Sequence, residues 1–269
     1  MIGQQVLLQQ IQRQIKDDSF PRFSIFIGPN GSEKNEFGAY IAKKLGAVHI
    51  KAPDCKVDTV RDIITASYKV NVSTVYSFCN ADGMSMQSKN SLLKITEEPP
   101  NKAYFVMTLE DRANTLPTIL SRGAVYELNP YTSDELKSYC KQYNYDSETL
   151  DIVLSICETP GDIDLLHTYH PREFYDFVSK VVDNIATASG SNVFKIGQSV
   201  KFKESDEEGY NLEIFWTVFC RVCMDRGFYV GLRLTSRYLG QLRIKSLNRQ
   251  MLFDRWILDI REAWADGSY

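Results

Sequence analysis

Through the first 130 residues, five short runs of strand-forming residues alternate with helical stretches, and no other feature constrains the fold as much. Strands joined by helical crossovers lie parallel, so the pattern predicts an α/β unit on a parallel sheet. The runs are FSIFIG (23–28), AVHIKA (47–52), STVYSFC (73–79), KAYFVMTL (102–109) and AVYELNP (124–130). After the first, NEFGAYIAKKLGA places Phe37, Tyr40, Ile41 and Leu45 on one helix face. VDTVRDIITASYKV is amphipathic, and SMQSKNSLLKITEE is a helix stopped by Pro99 and Pro100.

From Tyr131 the strands stop. Thr132 to Glu135 forms a capping box that opens a helix carrying Leu136 and Tyr139. SETLDIVLSIC is a further helix, broken at Thr159-Pro160-Gly161. From about Pro171 the chain reads as helices separated by loops such as KESDEEGY. The expected organisation is an α/β core over 1–130, a small helical piece over 131–169 and a larger helical piece over 170–269.

Hydrophobic residues make up 43% and charged residues 24%, proportions that fit a globular chain and exclude a disordered one. The longest apolar run, IFWTVFC, ends at Arg221 and falls well short of the roughly 18 residues of a membrane span. The opening MIGQQVLLQQIQRQIKDD has neither the apolar block nor the cleavage site of a signal peptide, so secretion is not expected. Six scattered cysteines without a disulfide framework fit a reducing cytoplasm. Cys220 and Cys223 have zinc-like spacing but no second pair or nearby histidine, so they read as small buried hydrophobes and no metal site is expected. His49, His167 and His170 receive no role. The net charge of −3 conceals an asymmetry: Arg221 to Arg255 holds eight bases and two acids, a basic segment on an acidic body. Such a segment suits nucleic acid, an acidic protein partner, or plain solvation.

The strand ending at Gly28 runs through Gly31, Glu33, Lys34 and Asn35 into a helix, the setting of a phosphate-binding loop. The residues do not complete it. Glu33 stands where a glycine would let backbone approach phosphate, and it brings a negative charge. Asn35 replaces the hydroxyl that ligates magnesium. At the end of the third strand Cys79 and Asn80 occupy the acidic positions that hold metal and activate water. Asp82 is expected to cap the following helix. Gly28 and Lys34 are the candidate nucleotide contacts of a relic loop. Lys34 reads either as a residual contact or as a solvated lysine at a helix start, which leaves weak nucleotide binding open. No cofactor is required on this reading.

Asn80-Ala-Asp-Gly-Met-Ser85, NSLLKITEEPP (90–100), YFVMT (104–108) and LPTILSRG (116–123) together resemble the bacterial DNA polymerase III clamp-loader group of AAA+ proteins. Order and spacing match over about residues 1–165. The resemblance implies an AAA+ parallel-sheet core, a helical lid and an all-α collar that holds subunits together. The degenerate ATPase positions bring it nearest the non-hydrolysing, delta prime type of member. It implies that Arg122 is an arginine finger reaching the ATP site of a neighbouring subunit. Glu97, Glu98, Pro99 and Pro100 would support the finger loop, and Gly161 falls at the sensor-2 glycine, with Asp164 where hydrolysing members carry arginine. The implied partners are gamma/tau ATPase subunits, the clamp-opening delta subunit, the sliding clamp and primer-template DNA, in the cytoplasm and away from membranes. The family's zinc cysteines are missing, so no zinc is expected. Two rival readings are a scaffold used outside replication and a weak ATPase. A plain surface ion pair is the alternative for Arg122.

Overall fold

The computed structural model describes residues 2–187, 192, 195–196, 200–202, 209–242 and 248–265. Two compact units account for the chain. The first is residues 1–139 with 159–161, and the second is 140–158 with 162–269.

The first unit is a five-stranded parallel sheet with helices on both faces. Its strands are β1 (Phe23–Ile27), β2 (Val48–Lys51), β3 (Thr74–Phe78), β4 (Ala103–Leu109) and β5 (Ala124–Glu127), in the spatial order β2-β3-β4-β1-β5. Central β1, β3 and β4 are buried along their whole length, as near-continuous apolar runs in a parallel sheet must be. Alternation along β1 divides the core. Phe23, Ile25 and Ile27 pack with Val60, Ile63, Leu92 and Ile95, which come from α3 (Val57–Ser67) and α4 (Met86–Glu97). Phe26 turns to the other face, against Phe37 and Ile41 of α2 (Phe37–Leu45) and Leu7 and Ile11 of α1 (Gln5–Lys16). Each such side chain contributes about 1.5–3 kcal/mol on burial. The short α5 (Pro117–Leu120) leads into β5.

The capping box at Thr132 forms as read: the Thr132 N–H donates to Glu135 Oε2 at 2.9 Å, and the Glu135 N–H donates to Thr132 Oγ1 at 3.3 Å. It starts α6 (Ser133–Cys140). The helix read over SETLDIVLSIC does end before Thr159, and Pro160 opens the first turn of the next helix. Proline fixes φ and lacks an N–H, so it suits that position. The helices that follow α6 are α7 (Ser147–Ile156), α8 (Pro160–Thr168), α9 (Pro171–Thr187), α10 (Leu212–Asp225), α11 (Tyr229–Gln241) and α12 (Arg249–Ala265). Most of the KESDEEGY loop, with Arg243 and Lys245, lies outside the described residues.

In the second unit Phe215, Trp216 and Phe219 of α10 pack with Phe253 and Trp256 of α12 in an aromatic core. The buried Trp256 Nε1–H donates to Thr235 Oγ1 at 3.0 Å. Cys223 is buried and Cys220 half-buried on α10, and burial pushes both thiols up, Cys220 to about 11. They pack as the small hydrophobes expected of them. Among the described residues no helix is long and apolar enough to cross a membrane, and no three His, Cys, Asp or Glu side chains gather as a metal set.

Candidate functional site

The carboxyl ends of β1, β3 and β4 meet where α2 and α4 leave on opposite faces, the place where open α/β sheets bind ligands. The loop after β1 lies there, and it is closed on itself. The Lys34 ammonium is 2% exposed and donates to the Pro29 carbonyl at 3.1 Å, which the Ser32 hydroxyl also reaches at 2.7 Å. The solvated alternative for Lys34 is therefore wrong. Desolvation pulls its pKa down, opposed by the charges of Glu110 and Asp82. Gly28, the other candidate contact, donates its N–H to the Leu109 carbonyl at 3.1 Å and lies against Ser32 and Leu128.

Glu33 occupies the left-handed region at φ 55°, a conformation that glycine adopts freely and a Cβ resists by about 1 kcal/mol. Its carboxylate accepts the Ile2 N–H at 2.9 Å, so the charge is turned to a backbone donor. Gly31, at φ 74°, meets Gly161 main chain to main chain, and the Gly161 N–H donates to the Gly31 carbonyl at 3.0 Å. A Cβ on Gly161 would overlap the Gly31 Cα.

Beside this loop, three neutral side chains bond to one another. Thr108 Oγ1 of β4 donates to Asn35 Oδ1 at 2.6 Å and accepts the Asn80 N–H at 2.9 Å. Asn35 Nδ2 donates to Asn80 Oδ1 at 3.1 Å. Asn80 holds φ 53°, which asparagine tolerates better than most residues. Cys79 and Cys55 are half-buried, and the Cys55 Sγ–H points to the Cys79 carbonyl at 3.5 Å. Desolvation raises both thiols, Cys55 to about 11. A cavity of about 620 Å³ opens next to them, lined in part by Lys56, Asp58, Ser85 and Ser88. Asp82 does not cap α4; Ser85 does, accepting the Ser88 N–H at 3.1 Å. Asp82 Oδ1 instead accepts the Glu110 N–H at 2.8 Å and an Asn114 Nδ2–H at 2.9 Å, tying down the turn after β4.

Arg122 is elsewhere. Ala124 of β5 pairs with Ser24 near the start of β1, whereas the loop holding Lys34 leaves the end of β1. In a parallel sheet the two sites are thus one strand length apart, about 16 Å. Gly123 packs against Phe23 and Ile25. The Arg122 side chain is 37% exposed; its Nε–H donates to Glu97 Oε1 at 2.8 Å and its Nη1–H to the Thr118 carbonyl at 3.0 Å. Glu97 ends α4, so the EEPP motif does hold this arginine. Thr108 was missed as a site residue, because its strand position gives no sign of which loops its hydroxyl joins.

Residues 50–132 match the family model described as DNA polymerase III, delta subunit. The DNA polymerase III subunit tau/gamma of Haemophilus influenzae is 24% identical over 169 residues, 52% of this chain and 25% of that protein. Subunit gamma of Buchnera aphidicola subsp. Schizaphis graminum is 29% identical over 107 residues, 36% of this chain and 30% of that one. Over these stretches the chain is similar to DNA polymerase III subunits. It spans less than a third of the length of these two relatives. The fold agrees with that of AAA+ proteins. A gamma subunit-related protein of Thermotoga maritima aligns over 96% of this chain and 99% of its own, with TM-score 0.52 and 15% identity. Thermotoga maritima RuvB aligns over 100% and 96%, with TM-score 0.55 and 15% identity.

Proposed function

We propose that this chain is a clamp-loader family member, a non-hydrolysing subunit of the delta prime type acting in DNA replication, and that Arg122 completes the ATP site of a neighbouring gamma/tau-type ATPase subunit. With a clamp-opening delta subunit, the assembly places the sliding clamp on primer-template DNA in the cytoplasm. The observation that carries the reading is the Asn35–Thr108–Asn80 network, which fills with neutral groups the place where a hydrolysing relative needs a metal ligand and a base. The inward closure of the loop supports the reading: the Lys34 ammonium donates to the Pro29 carbonyl, and the Gly161 N–H donates to the Gly31 carbonyl. No step of the proposed mechanism passes through this chain's own loop.

Arg122 is a full strand length from that loop, so its guanidinium has nothing to act on within its own chain. A guanidinium stays charged at every physiological pH and presents a planar fork to a transferring phosphoryl group. Supplied from a neighbour it is worth about 10³–10⁵ in rate in other nucleotide hydrolases. The Glu97 carboxylate holds it oriented until a stronger anion is presented.

The Glu97 pair also favours a second reading, in which Arg122 is structural and the chain is a scaffold used outside replication. One experiment separates them. DNA-stimulated ATPase is measured on the loader reconstituted with this chain or with its Arg122→Ala variant, and assembly is checked by gel filtration. A loss of about a thousandfold in an intact complex supports the finger. Unchanged turnover sinks it and leaves the scaffold.

A further inference from the structure

Between Asp225 and Asp254 the sequence carries six bases and no acid. The structure sorts the basic segment into two kinds of arginine. Arg221 pairs with Asp225, Arg226 with Asp183 through two hydrogen bonds, and Arg255 with Asp259. These are neutralised within the second unit. Arg233 and Arg237 on α11 are exposed and, among the described residues, have no side-chain partner. No acid lies on α11 to balance them. Arg249, also exposed, opens α12, where the helix dipole disfavours a cation and so gives it no reason to be there for stability.

The free arginines share a face with an aromatic ring. Tyr229, Arg233, Ser236, Arg237 and Gly240 follow helical spacing along α11, and all five are exposed. Tyr229 is 65% exposed, and a Cβ added at Gly240 would meet nothing, so the face is open at both ends. Arg233 and Arg237 stand one turn apart, about 6 Å along the axis.

We propose that this face of α11 binds single-stranded nucleic acid without sequence preference, Arg233 and Arg237 meeting the phosphates and Tyr229 stacking on a base. Charge with no counterion among the described residues, beside a flat ring in solvent, is the combination such sites use. An unpaired strand offers a base face to the ring, whereas a duplex hides its bases within the stack. An acidic protein segment would satisfy the arginines but give Tyr229 nothing to stack on. The proposal stands independently of the role given to Arg122.

The test is fluorescence anisotropy of a labelled oligothymidine with the full-length chain, over a salt range of about 50–200 mM. The Arg233→Ala/Arg237→Ala double variant is expected to bind at least about tenfold more weakly and to flatten the slope of log K against log salt by about 1.4. Tyr229→Ala is expected to cost about tenfold on the single strand and nothing on a duplex, while Tyr229→Phe retains binding. These positions are exposed, so native melting behaviour is expected and is checked by circular dichroism; Arg→Gln replacements substitute for any variant that melts early. No binding at low salt, binding indifferent to the arginine pair, or equal Tyr229 dependence on duplex overturns the proposal. Displacement of the oligonucleotide by poly-glutamate at matched charge also overturns it and assigns the face to an acidic protein.

Discussion

The loop after β1 and the turn before β5 lie at opposite ends of the same strand pair, and they have been treated oppositely. In the first, every group that would face a phosphate is engaged inward: Lys34 and Ser32 on Pro29, Glu33 on the Ile2 N–H, Gly31 on Gly161. In the second, Arg122 remains at the surface, held among the described residues by an exposed carboxylate and a carbonyl. On the proposed reading, a loop with no chemistry to perform can be rebuilt as packing, whereas an arginine that serves another subunit has to stay at the surface.

The largest expected effect is the thousandfold loss in loader turnover for Arg122→Ala; a comparable loss from a change in the β1 loop would break the contrast. Next comes Gly161→Ala, which forces a methyl into the Gly31 backbone and is expected to cost about 2–3 kcal/mol in urea unfolding. If Gly161→Ala is as stable as the parent, the clasp between those glycines is not tight. Thr108→Val removes the hydroxyl that bridges Asn35 and Asn80, stranding polar groups at about 1–3 kcal/mol. Turnover of the loader should not change with it, so a fall in rate at full assembly would mean that the network still does chemistry. Glu97→Ala should cost under about 1 kcal/mol of stability, since the pair is exposed, and change turnover by no more than about threefold.

The smallest effect is on the thiols. Cys55 and Cys220 have pKa values raised to about 11 from 9.0 by burial. The folded chain therefore keeps these protons after the unfolded chain has lost them. Their contribution to stability is complete below pH 9 and declines as pH rises towards 11. Alkylation of the native chain at neutral pH should be slow compared with that in denaturant. Fast native labelling would show that the region around Asn80 is open to solvent.

The strands and most helices were legible because burial on both faces leaves apolar runs, as in FSIFIG and KAYFVMTL. Motif spacing located the two glycines and the loop after β1, and it carries the proposal for Arg122. The clasp and the network were not, since they join residues far apart in sequence: Thr108 to Asn35 spans 73 positions. Asp82 was misjudged for the same reason, since its partners Glu110 and Asn114 lie 28 and 32 positions on. Lys34 was misjudged although Pro29 is only five residues away, because the way the loop closes on itself is fixed by the fold. In the helical unit, aliphatic and aromatic periodicity gave the helices, but the sorting of arginines into paired and free depends on acids such as Asp183, 43 residues from Arg226.

The clasp of Gly31 with Gly161 bears on how the molecule can be divided. Residues 159–161 count with the first unit although the segments on either side count with the second, so the chain passes between the units three times. No single stop codon separates them. Ending the gene after Tyr139 would deliver a sheet whose phosphate-type loop lacks its closing strand of main chain, and starting at Cys140 would carry that strand away with the wrong half. No single cut therefore leaves both units whole.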